Sequence, residues 1–346
     1  MKFLKSVIAV GCICLFASSA PAQDKKVRLQ MGAAWASSLG ILGPSGHRIA
    51  DYAKAMSGGT IDMKFFEPGA LVPASQYFDA VSNGSLDSAF TSAGYFVGKE
   101  IGFALFASVP FGPGVGEYLA WLEYGGGNQL FQETHDKFNI IAKTCGVIAP
   151  EASGWFRKEM KTLDDFKGLK IRFFGLGANV MQKMGAATQL LQAGEIFQAL
   201  QLGTIDATEF SMPSMDITLG FHQVAKHYYF PGWHQQASTG HLYISKKKWE
   251  EMSPNQRNII DLVCKAQIYQ EFVESESAQI DAMQELKKKG VQFHQWSPEV
   301  LKALEAKWLE VVEEQKAKSP VFAKVWVSYS KFREGYALWR ELGYLK

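Results

Sequence analysis

Apolar and polar positions alternate from Val27 to Met31, which predicts a first strand. From Pro44 to Met56 the period changes. Ile49, Tyr52, Ala53 and Met56 recur at helical spacing until Gly58-Gly59 stops them. Ile61–Phe66 reads as the next strand, Ala74–Val81 as a helix ending near Asn83-Gly84, and Leu86–Phe90 as a short strand. This order of strand, helix, strand, helix, strand predicts a parallel sheet covered by helices. It recurs downstream, with strands at Lys170–Phe173, Ala187–Leu190 and Ile205–Glu209 separated by helices at Ala178–Met184 and Gly194–Leu202. A local echo supports a duplication. Asn83-Gly84-Ser85-Leu86-Asp87-Ser88-Ala89 matches Leu202-Gly203-Thr204-Ile205-Asp206-Ala207-Thr208 in residue type at most positions.

The last third differs in kind. Pro254–Lys288 holds helical apolar spacing without a breaker, so it predicts one helix about 50 Å long. Val291–Phe293 reads as a return to a sheet, Pro298–Ala317 as another helix, and Val321–Leu342 as an aromatic-rich amphipathic stretch with Trp326, Tyr329, Phe332, Tyr336 and Trp339. These helices are expected to pack across both halves of the molecule. A homodimer contact is the sharper alternative, because large aromatic faces are rarely left in water. The pattern thus predicts an α/β chain of two similar lobes: 23–150 mainly the first, 151–245 mainly the second, and 246–346 a helical part spanning them.

The beginning of the chain reads as a secretory signal over residues 1–22. Lys2 and Lys5 precede the apolar run Val7–Ala17, and Ala20-Pro21-Ala22 supplies the small residues of a cleavage site. A lipoprotein reading at Cys12 is weaker, since the apolar run continues past it. The whole chain carries 36 basic and 34 acidic residues, and the leader holds two lysines and no acids. The exported chain is therefore balanced, which argues against a nucleic-acid or anionic-membrane partner. Of the cysteines, Cys145 and Cys264 survive processing. They could pair in an oxidising compartment, but no cysteine pair has metal-ligand spacing. Lys246-Lys247-Lys248 and Lys287-Lys288-Lys289 read as solvated helix faces.

Candidate chemistry follows from position. Ligands of open α/β sheets bind at the carboxyl ends of strands, and Arg172 and Glu209 both fall at such ends. Arginine grips a carboxylate with two parallel hydrogen bonds and keeps its charge. The alternative for Arg172 is a structural ion pair with an acid such as Asp165, and for Glu209 a helix cap before Ser211–Leu219. An exported enzyme would use the same cleft. Against it, the chain has no His-Glu-x-x-His, no Gly-x-Ser-x-Gly and no phosphate-cradling glycine loop.

These residues sit within a series of motifs in fixed order. They include Phe66-Glu67-Pro68-Gly69-Ala70-Leu71-Val72-Pro73, Tyr95-Phe96-Val97-Gly98-Lys99, Val109-Pro110-Phe111-Gly112 and Tyr124-Gly125-Gly126-Gly127. Gly154-Trp155-Phe156-Arg157-Lys158-Glu159, Phe166-Lys167-Gly168-Leu169-Lys170-Ile171-Arg172, Gly203-Thr204-Ile205-Asp206-Ala207 and Tyr229-Phe230-Pro231-Gly232-Trp233 complete the series. In these the chain resembles the solute receptors of tripartite ATP-independent periplasmic (TRAP) transporters, in the branch that binds 2-oxo acids and related monocarboxylates. The resemblance covers nearly the whole exported chain. It implies a periplasmic, two-lobed binding-protein fold that closes over a small organic acid and delivers it to a large and a small membrane subunit. A sensor handing its signal to a membrane receptor would share that fold.

The resemblance also implies roles. Arg172 pairs with the ligand carboxylate, while a metal ion bridges ligand and protein through Glu209, the side chain at position 151 and the backbone carbonyl of residue 210. This chain departs from the pattern twice, with Glu151 where the branch has glutamine and Phe210 where it has tryptophan. A carbonyl is indifferent to the second change. The first puts two carboxylates in one cleft, which need a cation between them or a proton on one of them. A divalent ion, calcium rather than sodium, suits such oxygen ligands; a cationic nitrogen on the ligand would serve as well. Trp35, Tyr95, Trp155 and Trp233 are candidate walls of the cleft, and His234 and Gln235 candidate selectivity residues. Such aromatic walls favour a partly apolar monocarboxylate over a sugar acid.

Overall fold

The computed structural model describes residues 24–345; the leader expected at 1–22 lies outside them. Eleven strands are described: β1 (Val27–Ala33), β2 (Ile61–Phe66), β3 (Ser88–Thr91), β4 (Ile140–Ile148), β5 (Gly154–Phe156), β6 (Lys170–Arg172), β7 (Ala187–Gln189), β8 (Ala207–Thr208), β9 (His227–Phe230), β10 (Ser238–Ser245) and β11 (Gln292–Gln295). They form two sheets, one in the order β2-β1-β3-β10-β4 and one in the order β11-β9-β5-β8-β6-β7.

The parallel arrangement expected from the sequence holds where β1 pairs with β2 and β3, and where β6 pairs with β7 and β8. It does not extend across the sheets. β10 runs antiparallel to β3 and β4, and β5 antiparallel to β8 and β9. These antiparallel strands adjoin the places where the chain changes lobe, so they enter a sheet from the end at which the parallel strands leave it. β10 thus belongs to the first sheet although it lies within residues 151–245, and β11 belongs to the second.

The sequence echo has a structural counterpart. Asp87 Oδ2 accepts the Gln30 N–H at 2.9 Å, one residue before the Met31–Ser88 pairing. Asp206 Oδ2 accepts the Lys170 N–H at 3.1 Å, one residue before the Ile171–Ala207 pairing. Each aspartate ties the start of its strand to the neighbouring parallel strand in the same register. Carrying that register forward by one residue puts Arg172 at the position that Gly32 holds in the first lobe.

The helix Pro254–Lys288 spans both lobes as a single element. Ser253 and Gln256 form a capping box, with Ser253 Oγ accepting the Gln256 N–H at 3.1 Å and Gln256 Oε1 accepting the Ser253 N–H at 3.0 Å. Its first turns bury Ile259, Ile260 and Val263 against the first lobe, and Cys264 is bonded there to Cys145 of β4. The pairing that the sequence left open is made, and such a link typically stabilises a fold by about 2–4 kcal/mol. Farther along, Gln279 Oε1 accepts the Ser214 N–H of the second lobe at 3.0 Å. The helix Pro298–Lys318 then packs on Gly175–Lys183 of the second lobe. The helix Pro320–Leu342 returns to the first, where Arg333 and Arg340 converge on Glu117 at 3.2 and 2.7 Å. The helices therefore do bridge the lobes. Leu338, Trp339 and Leu342 at the far end stay exposed.

Candidate functional site

Two short segments connect the lobes side by side, residues 149–153 between β4 and β5 and residues 231–237 between β9 and β10. Glu151 N–H donates to the Gln235 carbonyl at 3.1 Å, and Gly232 N–H to the Glu151 carbonyl at 3.0 Å. A Cβ on Gly232 would lie 2.2 Å from that same carbonyl oxygen, so only glycine lets the two connections touch. Glu151, His234 and Gln235 therefore sit at the junction of the lobes. The ends of β6 and β8 bring Arg172 and Glu209 to it.

Arg172 and Glu209 are both buried, and they face each other. Arg172 Nη1 donates to Glu209 Oε2 at 2.8 Å and to the Glu209 carbonyl at 2.7 Å, while Nε donates to the Leu191 carbonyl at 3.2 Å. Phe210 and Phe174 flank the guanidinium, with its carbon 5.4 and 6.0 Å from their ring centres. Asp165, the alternative partner for Arg172, is engaged elsewhere; it accepts the Lys161 and Thr162 N–H groups. Nor does Glu209 cap the helix that follows it. That helix, Pro213–Asp216, starts after Met212, and Glu209 Oε2 instead accepts the Phe174 N–H at 2.9 Å.

The other acid stands close by. Glu151 is also buried; its Oε1 accepts from Gln235 Nε2 at 2.8 Å, and its Oε2 has no hydrogen-bond partner. Glu209 Oε1 is unpartnered as well, and so are both ring nitrogens of His234. His234 Nε2 lies 3.5 Å from Glu209 Oε1 and 4.0 Å from Glu151 Oε2. One atom each from Glu151, Glu209 and His234 falls within 4.8 Å of the others. Burial, and then the charge of Glu209, push Glu151 well above the usual carboxylate range. Burial would push Glu209 up too, but Arg172, with His234 and the Phe174 amide, outweighs it and holds Glu209 below that range. Unpartnered oxygens on two facing acids fit a cation, and the donor set is rich in the hard oxygens that calcium takes.

A narrow cavity of about 40 Å³ lies beside these groups. Arg172, Phe174, Phe210 and Ser211 line it from the second lobe, and Trp35, Tyr95 and Ser92 from the first. The lobes meet over it, Tyr95 placing its ring edge-on to Phe174 at 5.0 Å. Trp155 and Trp233 lie behind this wall rather than on it. Trp155 stacks on Tyr228 at 3.8 Å and donates to Asp216 Oδ2 at 2.8 Å; Trp233 stacks between Phe111 and Phe173. Their flat apolar faces are spent on the core. The sequence pattern singles out neither Asp216 nor the wall residues Leu42, Ile148 and Glu271. Ile148 comes in through pairing in the antiparallel sheet and Glu271 through the path of the long helix, and neither shows as a local pattern.

Likeness to known proteins decides the family. Residues 36–319 match the bacterial extracellular solute-binding proteins, family 7 (DctP). The chain belongs to that family. Its members are receptors of TRAP transporters, which work with TRAP membrane permeases and bind small carboxylates. A monocarboxylate 2-oxoacid-binding periplasmic protein of Nostoc is 31% identical over 97% of this chain and 92% of its own. A TRAP solute-binding protein of Bordetella bronchiseptica, a dimer with calcium and picolinate, superposes with a TM-score of 0.90 at 30% identity, over 92% of this chain and 95% of that one. A Pseudoalteromonas atlantica counterpart with sodium and pyruvate gives 0.88 at 29%, over 91% and 96%. The two-lobed α/β architecture with long C-terminal helices is that of the family.

Asp216 offers a check on this buried region. Burial pushes its acid up to about 7 despite hydrogen bonds from Trp155 and Tyr228. Between about pH 4 and 7 the native state holds a proton there that the unfolded chain has lost. Stability therefore falls as pH rises through that window, by at most about 1.4 kcal/mol per pH unit. Asp216→Asn removes this slope. The melting-temperature difference, variant minus parent, is expected to grow between pH 5 and 7.5; a difference independent of pH contradicts the assignment.

Proposed function

We propose that this protein is a periplasmic receptor, not an enzyme, that binds a 2-oxo acid or closely related monocarboxylate and presents it to TRAP membrane subunits. The observation that carries the reading is a buried arginine on a cavity wall beside two buried carboxyl groups with unpartnered oxygens. Among the described residues, Arg172 Nη2 makes no protein hydrogen bond, so half of its fork is free for a ligand carboxylate. The relatives' 2-oxo acid, picolinate and pyruvate share the needed pattern, a carboxylate with a second electron pair next to it.

In this reading Glu151 Oε2, Glu209 Oε1 and the Phe210 carbonyl would hold a divalent cation, calcium before sodium. Bound there, it would supply the positive charge that offsets the two acids and would polarise the ligand's second oxygen. His234 stays against Glu209 and orients its carboxylate. The Tyr95 hydroxyl donates to the ligand from the first lobe, and Trp35 and Phe210 cover its apolar part. A ligand held by Arg172 on one lobe and by Tyr95 on the other favours the closed form, which the permease then distinguishes from the open one. Export through a cleaved leader at 1–22 completes the picture.

Arg172→Lys keeps the charge but loses the planar fork. Losing a charge-assisted hydrogen bond costs about 1.5–3 kcal/mol, so pyruvate affinity measured by calorimetry falls roughly 10- to 150-fold. Unchanged affinity removes Arg172 from the ligand. Chelator treatment followed by dialysis is expected to weaken pyruvate binding at least about tenfold and to lower the melting temperature, with calcium restoring both. Full affinity in protein shown by elemental analysis to be metal-free contradicts the bridging cation.

A further inference from the structure

One buried acid on the cavity wall has no part in holding a carboxylate or a cation. Glu271 comes from the middle of the helix Pro254–Lys288, is fully buried and lines the cavity with Leu42, Ile148, Ser92, Thr239 and Gly240. These all belong to the first lobe and its helix, whereas Arg172, Phe174 and Phe210 face them from the second. An acid whose carboxylate sits on Arg172 therefore turns its other end toward the wall that contains Glu271.

The surroundings hold this carboxyl group in place without satisfying it. Glu271 Oε2 accepts from Gln267 Nε2 at 2.7 Å, and Oε1 has no partner. Gln267 is itself fixed, because its Oε1 accepts from Arg48 Nε at 3.1 Å. Arg48 does not neutralise Glu271. Its Nη1 is committed to Glu274 at 2.6 Å and its Nη2 to Ser45 Oγ at 3.0 Å, while the Ser45 hydroxyl donates to the Ile41 carbonyl at 2.7 Å. On the remaining side β4 makes room. A Cβ on Gly146 would stand 2.6 Å from Glu271 Oε2, so glycine at that position lets the carboxyl group lie flat against the strand. Burial pushes Glu271 up to about 7, with Gln267, the nearby Ser45 hydroxyl and Arg48 opposing only in part. A fixed, buried acid with one unpartnered oxygen is costly unless something bonds to it.

We propose that Glu271 is a specificity residue which accepts a hydrogen bond from a hydroxyl at the far end of the bound acid. The preferred ligand is then a hydroxyl-tailed monocarboxylate rather than an alkyl-tailed one. A second carboxylate at that end is disfavoured by the like charge wherever Glu271 is ionised. Leu42 and Ile148 pack along the intervening carbons. The inference rests on the receptor reading above and deepens it by naming the tail chemistry.

The test is calorimetric titration of the full exported protein with calcium present. The probes are 2-oxo acids of three to six carbons, each as a matched pair with a terminal hydroxyl or a terminal methyl, and pyruvate as a tail-free control. Sites built to bond a ligand hydroxyl reject the analogue lacking it strongly. The hydroxyl member of at least one pair is expected to bind at least about tenfold tighter. Glu271→Leu erases or inverts that ratio, and Glu271→Gln, which retains an acceptor, preserves its direction. Pyruvate binding without a hydroxyl preference at any length overturns the inference and leaves the receptor reading standing. The same holds if Glu271→Leu keeps the preference. No binding of pyruvate or of any pair removes both. Should Glu271→Leu fail to fold by circular dichroism, the parent protein's ratios and those of Glu271→Gln decide.

Discussion

Everything near the cleft answers to one electrostatic constraint, three ionisable side chains buried together with only one fixed positive charge among them. Arg172 neutralises Glu209 through a direct pair. Glu151 has no cation of its own and sits well above the usual carboxylate range. Buried ion pairs gain little net stability, because desolvation offsets their attraction, and an unpaired second acid only adds to the cost. Such an arrangement makes physical sense when an outside charge completes it. A cation between the acids and an anion on the arginine would do so together, which makes ligand and metal binding mutually supportive.

The fold is arranged to bring those three groups to one point. Arg172 and Glu209 end neighbouring parallel strands of the second lobe, and Glu151 lies on a connection between lobes. The two lobes share a register, marked by Asp87 and Asp206, yet they differ at the equivalent of Arg172, where the first lobe has Gly32. Only one half of the duplicated frame is armed. The other supplies the covering wall and, through the long helix, Glu271. Because that helix is pinned by a disulfide at one end and bonded to Ser214 farther along, it carries a first-lobe residue to the cavity at a defined depth.

Elements with a strong local period are legible in the amino-acid sequence alone. The helices at Leu42–Met56 and Pro254–Lys288 and the strand Ile61–Phe66 follow directly from apolar spacing. The antiparallel strands β4, β9 and β10 are not, since β10 and the second half of β4 are continuously buried and β9 is only four residues long, so no sustained alternation announces them. At the site, strand ends and motif order point to Arg172, Glu209 and Glu151, and the fold gathers all three. Trp155 and Trp233 show the limit of that signal. A tryptophan near a strand end can turn toward the cleft or into the core, and strand alternation decides which. Glu271 is hidden for a different reason, as a single acid on a long helix whose neighbours come from residues far away in sequence.

The most direct test of the account is a crystal structure of the exported protein with calcium and pyruvate, recorded with anomalous data. An anomalous peak is expected about 2.3–2.6 Å from Glu151 Oε2 and Glu209 Oε1. The pyruvate carboxylate is expected within about 3 Å of Arg172 Nη2. Pyruvate bound elsewhere in the cleft, or bound on Arg172 with no ion between the two glutamates, would contradict the account.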